Sequence, residues 1–566
     1  MNQDFKNYSS LNFGSIIFET EAKPIFQLIS ASLSIQNNTV IYDQSSIINA
    51  FVSTVTLQNT TFTNITLSEI SIKAVVSTIT FENITITHLS NPVQTDFILA
   101  MLDSTVIINN MNYSSSDSTL FKARTSSVEI MNIEFNQILN ATELVAISNC
   151  YNVSMNTIIS TDSQITGKDL FRIASSHNVT LTNIDIQNSN SVALRIFSSN
   201  VTKINRLNLN NCTEGLIIES STVLLFEDSV FMKNGGINLI QGGALHMINS
   251  DISISSSTFK ENIAQRGAAI YFTCSSTKLC SLSLNTTNFE LNNAIRKGGA
   301  IYYDYSRPVF GSGVTYSNNT AQYGPNIASY AVKITLNNDI SSNIKINDLV
   351  SGVVYKETLK LSVRDYDNQI MVMNNQNQII LTAVNNTVAK VGGFNSIGLQ
   401  KGTAEFNNFI VEAEPGAKNI KVAASSKAID QTKITSIFGN LISDNTIEIN
   451  FRYCKPGEQI IGNSCFKCSP GTYSLDWNST QCQHCMNNVV CEGGAVININ
   501  TGYWRVSSNS TRIIECINKK ACQGGYFETN DNPTKCTTGY KGNLCTKCEI
   551  VGDEKYQEVG GFQCQK

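Results

Sequence analysis

The 566-residue chain carries little charge. Asp, Glu, Lys and Arg make up 15% of it, and 40 basic against 44 acidic residues leave a net charge of -4. There is no basic run or acidic tail, so the electrostatic footprint of a nucleic-acid binder is absent. No window approaches the roughly 20 apolar residues that a membrane-crossing helix needs. The opening MNQDFKNYSSLNFGSIIF lacks the basic start and compact apolar run of a secretory signal. Histidine is scarce, and His88, His177, His246 and His484 form no pair at a useful spacing. Glycoside hydrolysis needs carboxylates converging on one bond, and a lyase needs acidic cation ligands with a base beside them. The acids of the first half, among them Glu134, Asp162, Asp185, Glu219, Asp251, Glu261 and Glu290, are instead scattered. Glu227 and Asp228 are adjacent, which in a strand puts them on opposite faces. The expectation is a protein that is not an enzyme and takes no cofactor.

What fills the chain instead is aliphatic residues with Asn, Ser and Thr, a mixture that suits strands and turns. Blocks such as INAFVSTVTLQNTTFTNIT, IKAVVSTITFENITITHLS and LFRIASSHNVTLTNIDIQN each hold two pieces of period-two alternation divided by Ser, Asn or Asp corners. They recur roughly every 22 to 27 residues, which is the spacing of a solenoid. Such short strands bury their apolar face only by stacking on the next coil. Later coils add a motif in which Phe231-x-x-Asn234, Phe259-x-x-Asn262, Phe289-x-x-Asn292 and Tyr316-x-x-Asn319 precede corners at Gly242, Gly267, Gly298 and Gly324. Glycine serves a tight turn or a positive φ, and asparagine can bond to its own kind above and below. No Lys-Ser/Thr and no helix start follows these glycines, so they do not form a phosphate loop.

Residues 1–330 therefore resemble the right-handed parallel β-helix of the pectin-lyase-like superfamily. Their Phe-x-x-Asn…Gly-Gly-Ala-Ile part looks like the repeat of chlamydial polymorphic outer-membrane proteins, which also occurs in large protist surface proteins. About twelve coils at roughly 4.8 Å each predict a rod somewhat under 60 Å long. The superfamily implies polysaccharide lyases and hydrolases as one possibility, but the Asn-Thr-Asp, Asp-Asp and Gly-His-Gly motifs of its hydrolases are missing. Aligning the glycine corners puts His246, Tyr271 and Tyr302 at one place in successive coils. With Leu245, Ile270 and Ile301 inward, alternation sends those rings outward as a ladder. They form a candidate platform for a carbohydrate or protein ligand, with Tyr303, Asp304, Tyr305 and Arg307 near enough to orient it. The competing expectation is a ladder that only stabilises the coil.

Residues 331–450 alternate over longer strands, with turns at Asp365-Tyr366-Asp367-Asn368 and Glu414-Pro415-Gly416, as expected of a small antiparallel sandwich. The stretch from Gly402 to Phe406 followed by Pro415-Gly416 looks like the later strands of immunoglobulin-like or filamin-like repeats. Asp365 and Asp367 are expected to cap their turn rather than to hold calcium. The whole chain is thus expected to be all-β: a right-handed parallel β-helix, an immunoglobulin-like β-sandwich, then disulfide-rich small modules.

Twelve of the 16 cysteines lie in residues 451–566: Cys454, Cys465, Cys468, Cys482, Cys485, Cys491, Cys516, Cys522, Cys536, Cys545, Cys548 and Cys564. The run CKPGEQIIGNSCFKCSPGTYSLDWNSTQCQHCMNNVVC resembles the EGF- or TNF-receptor-like modules of protist surface proteins. The following GYWRVSSNSTRIIECINKKACQGG looks like the section that precedes their transmembrane segments. Cys465, Cys468, Cys482 and Cys485 also have the spacing of a zinc ribbon, but the flanking cysteines and the loop-rich setting favour disulfides. Cys274 and Cys280 bracket a short loop that a disulfide could close, whereas Cys150 and Cys212 lie too far apart to pair. Sequons at Asn59, Asn64, Asn83, Asn178, Asn200 and Asn478 are compatible with secretion. The expected whole is the extracellular part of a cell-surface protein serving adhesion, recognition or spacing, anchored through a membrane segment beyond Lys566. The alternatives are a secreted carbohydrate-active enzyme and a purely structural coat component.

Overall fold

The computed structural model describes the chain apart from residues 1–2, 7–10, 15–25, 38, 44–45, 92–94, 276–279, 337–343, 439–445, 527–534 and 552–553. The described residues are all-β save for short 3-10 turns and one helix, α1 (Gln431–Phe438). The N-terminal part is a parallel β-solenoid of about twelve turns. One face is a 14-stranded parallel sheet running from Gln3–Lys6 through Ile48–Phe51, Asp96–Met101 and Ile270–Thr273 to Ile327–Ala328. The remaining wall is made of longer strands in the middle coils, such as Thr54–Thr66, Thr78–Thr87, Thr105–Ser114 and Ser127–Asn136, and of short ones in the later coils, paired in parallel register.

The long strands bend at residues in the left-handed region, at Asn59, Asn83, Asn110, Asn132 and Asn183 among others, and Thr54–Thr66 bends a second time at Asn64. Asparagine reaches that region at lower cost than most side chains. The bend restarts the in-out alternation, so Leu57 and Phe62 both point inward and are fully buried. Outside, the bend asparagines bond in a column: Asn59 Nδ2 donates to Asn37 Oδ1 at 3.0 Å, Asn83 to Asn59 at 2.9 Å and Asn110 to Asn83 at 2.7 Å.

The interior is one continuous apolar core closed by polar ladders. Serines at the corners accept an N–H from the preceding coil and donate to a carbonyl of their own, as in Ser53, Ser77 and Ser104. In the glycine-bearing coils Phe231, Phe259, Phe289 and Tyr316 stack at centroid spacings of 4.8, 5.2 and 5.3 Å. Asn234, Asn262, Asn292 and Asn319 follow them inward. Each of the first three donates from Nδ2 to the next Oδ1, at 3.2, 2.9 and 3.0 Å, and also to a carbonyl of the preceding coil. A buried amide satisfied on both sides avoids the penalty of an orphaned polar group. The recurrent glycines turn the corner that follows. Gly267 has φ +57°, and a Cβ there would lie 2.2 Å from the Ile270 carbonyl oxygen.

Two further stretches belong to the solenoid's compact unit, residues Asp365–Met373 and Asp430–Gly439. Asp365 and Asp367 account for the first. Asp365 accepts the Gln369 N–H and the Tyr323 hydroxyl, and Asp367 accepts the Tyr303 hydroxyl and the Arg307 guanidinium. Asp365 therefore caps its turn as its sequence suggests, while Asp367 is drawn to the solenoid. Helix α1 starts at Asp430, whose carboxylate accepts the Thr432 and Lys433 N–H groups in an N-cap. Hydrogen bonding from Thr432 holds that carboxyl below its ordinary pKa.

The second compact unit comprises Lys333–Arg364, Asn374–Ile429 and Asn440–Lys566. Its first part consists of small sheets, the largest with five strands in the order Ile344–Leu349, Thr446–Phe451, Ile420–Ser426, Gln378–Ala383 and Ser396–Gly398. The pair Ile344–Leu349 with Thr446–Phe451 is parallel, so the expected wholly antiparallel arrangement becomes a mixed one. The cysteine-rich part is a series of two-stranded hairpins over small cores around Ile497 and Trp504. Disulfides join Cys454–Cys465, Cys468–Cys482, Cys485–Cys491, Cys516–Cys522, Cys536–Cys545 and Cys548–Cys564. Cores this small need cross-links, and closing the Cys468–Cys482 loop stabilises by about 3 kcal/mol.

Candidate functional site

The candidate site lies where the glycine corners meet the 14-stranded sheet. His246, Tyr271 and Tyr302 are direct register partners in consecutive coils. His246 meets Tyr271 edge-on at 5.2 Å, and Tyr271 stacks on Tyr302 at 5.5 Å. The ladder exists, but it is not the open platform that alternation predicts. Tyr271 is 5% and Tyr302 7% exposed. Burial pushes both phenols above their ordinary pKa, with the Asp304 charge adding to the effect. His246 lies 3.4 Å from the Glu214 carboxylate of the preceding coil.

The polar residues expected to orient a ligand are engaged within the solenoid's own unit. Tyr303 is fully buried and donates its hydroxyl to Asp367 at 2.7 Å. Arg307 bonds the other oxygen of Asp367 at 2.8 Å and lies 5.1 Å over the Phe310 ring. Asp304 accepts both bonds from Lys433 of α1, at 2.6 and 2.8 Å. Lys433 also lies 4.5 Å over Tyr305 and 5.0 Å over Tyr330. No periodic signal marks the return to this corner of residues about 60 to 130 positions downstream.

Beside the ring ladder runs a second column that the sequence alignment passed over. Gln241, Arg266, Lys297 and Tyr323 each precede a glycine corner, and each is the bridge partner of the next. The corner folds back so tightly that a Cβ on Gly242 would lie 2.8 Å from the His246 Cβ. Residues one before and four after the glycine are thereby set side by side. Arg266 and Gln241 accordingly lie near enough to the Tyr271 hydroxyl to oppose part of its upward shift.

Elsewhere, a groove of about 670 Å³ crosses the early coils, lined by His88, Ser90, Asp117, Leu139, Asp162 and Gln164. Burial raises the Asp117 carboxyl above its ordinary pKa against bonds from backbone N–H groups. Asp162 accepts from Asn188 at 2.8 Å. Several sheet-face acids pair with cations of neighbouring coils, as in Asp96–Lys122, Glu143–Arg172 and Asp169–Arg195. Glu227 and Asp228 do not point apart as a strand would require. Asp228 takes a left-handed conformation with φ +53°, and both carboxylates accept from Asn205.

Cys274 and Cys280 are joined. The four ribbon-spaced cysteines fall into three separate disulfides rather than one cluster. Cys454, Glu458 and Cys465 lie close enough to share an ion, but the two sulfurs are bonded to each other. Cys150 and Cys212 are free and buried. Of the sequons, Asn59, Asn64, Asn83, Asn178 and Asn200 are exposed. Asn59, Asn83 and Asn178 use Nδ2 in coil-to-coil bonds, Asn200 meets His177, and Asn478 accepts the Cys454 N–H. No protein-family model matches this chain, and no curated protein matches it significantly.

Proposed function

We propose that the chain is the non-catalytic extracellular part of a membrane-anchored cell-surface protein, serving adhesion, recognition or spacing. The observation that carries this reading is the cysteine chemistry: 14 of 16 cysteines are joined in short-range pairs. Such a framework forms and persists in an oxidising compartment. We take the solenoid as a right-handed β-helix and the mixed sheets as an immunoglobulin-like spacer. Ion pairing of the sheet-face acids across coils supports a wall of structural rather than reactive carboxylates. The test is surface biotinylation of intact source cells with an impermeant reagent, combined with thiol counting in the recovered protein. Labelled protein with two thiols per chain is expected. An unlabelled, fully reduced protein would sink the reading.

One observation favours the carbohydrate-active alternative. Asp117, whose carboxyl burial raises above its ordinary pKa, lines the early groove together with Asp162, which accepts a bond from Asn188. Glycoside hydrolysis uses a pair of carboxyl groups. Release of reducing or unsaturated ends from a glycan panel, lost in Asp117→Asn, would establish it.

A further inference from the structure

The column beside the ring ladder holds more positive charge than its surroundings neutralise. Arg266 and Lys297 are register partners one coil apart, and Arg296 and Lys433 lie near enough to act on Lys297 electrostatically. Asp304 opposes their effect on Lys297, but both its oxygens already bond Lys433. Arg266, Arg296 and Lys297 make no salt bridge among the described residues, although carboxylates elsewhere on the sheet face are paired across coils. Lys297 is half-buried. Burial, then the charges of Arg266 and Arg296, push its ammonium below the ordinary lysine pKa. A cation in that position is destabilising unless a counter-charge reaches it.

We propose that Arg266 and Lys297, beside the Tyr271–Tyr302 stack, form a binding site for an oxyanion group, a carboxylate, sulfate or phosphate. The guanidinium supplies a planar fork of donors and the ammonium a point charge, which together suit the oxygens of one such group. Arg296 is exposed and Arg266 half-buried, so the column opens to solvent on the side away from the rings. Two sources carry this chemistry, a free inorganic anion or the acidic group of a saccharide. The assignment deepens the recognition reading and rests on it.

The test is calorimetric titration of the full chain at low ionic strength with inorganic sulfate, a sulfated oligosaccharide, an oligouronate and a neutral oligosaccharide. Wild-type protein is expected to bind sulfate saturably at one site, and Lys297→Gln to weaken it about tenfold or more, equivalent to about 1.4 kcal/mol. Lys297→Arg, which keeps the charge, is expected to retain binding. It separates loss of the site from loss of the fold, which the thermal midpoint checks directly. Tighter binding of an acidic oligosaccharide than of sulfate would assign the site to glycans; sulfate binding alone would assign it to free anions. Failure of wild type to bind any anion, or unchanged affinity in Lys297→Gln, overturns the proposal. If neutral-glycan binding persists in that case, the recognition reading survives; loss of every interaction would count against both.

Discussion

Replacing Asn262 by alanine tests how the glycine-bearing coils hold together. Its side chain is fully buried and makes four bonds. Nδ2 donates to the Phe231 carbonyl at 3.0 Å and to Asn292 Oδ1 at 2.9 Å. Oδ1 accepts the Asn234 backbone N–H at 2.9 Å and Asn234 Nδ2 at 3.2 Å. After truncation Asn292 Oδ1 keeps the Asn262 backbone N–H, and Asn234 Nδ2 keeps the Leu209 carbonyl. The Asn234 N–H and one acceptor site on Phe231 lose their side-chain partner. At about 1 to 3 kcal/mol per orphaned buried group, the expected cost is about 2 to 6 kcal/mol. Asn262→Asp should cost at least as much, because it sets a carboxylate against two acceptors in a buried site.

Asn83, in the outer column, is the control. It is exposed and also bonds above and below, but a partner lost there is replaced by water. With φ +54°, Asn83→Ala is expected to cost about 1 kcal/mol, mostly backbone strain, and Asn83→Gly much less. A stacked array does not unfold as one unit. The assay is therefore native-state hydrogen exchange, reading the opening free energy of the Asn234 and Cys212 amides. The latter donates to Asn234 Oδ1. If Asn262→Ala lowers it by no more than Asn83→Ala, the inner ladder is not what binds these coils.

Tyr271→Ala should destabilise by about 3 to 5 kcal/mol as a buried aromatic truncation, seen as a lowered midpoint in urea; an unchanged midpoint would restore the open-platform reading. Cys150 and Cys212 should resist a thiol reagent in the native protein and react only in denaturant, giving two thiols per chain without reduction. Burial, countered by the Tyr323 and Gln369 bonds, raises the Asp365 carboxyl in the folded state. Folded protein then holds a proton that the unfolded chain has released, so this group's stabilisation, present below the ordinary aspartate pKa, is lost as pH rises through the raised value. Asp365→Asn should flatten that part of the stability-against-pH curve, and an unaltered slope would refute the assignment.

The solenoid was legible because its physics is local and repeated. Alternation, the Ser and Asn corners and the Phe-x-x-Asn…Gly unit each mark a position whose partner is the same position one coil away. The free cysteines fit this scheme, since Cys150 continues the serine column through Ser176 and Cys212 adjoins the inner asparagine ladder. Alternation also located the ring ladder but misjudged its exposure, which depends on neighbours outside the repeat. The ties of Asp367 to Tyr303 and Arg307, and of Lys433 to Asp304, span long sequence distances and leave no periodic trace. The Arg266–Lys297 column could have been found by aligning the residue before each glycine instead of only those after it.

Contacts between equivalent positions set how this chain can change length. Adding or deleting a whole coil recreates every column with new members, whereas a single extra residue within a strand turns its inward set outward. Corners are the exception, and Cys274–Cys280 illustrates it. The bond holds the two ends of an insertion 5.8 Å apart between Ile270–Thr273 and Leu282–Asn285, and both strands remain in register with the next coil. Growth by whole coils lengthens the wall, and growth at stapled corners decorates it without disturbing the stack.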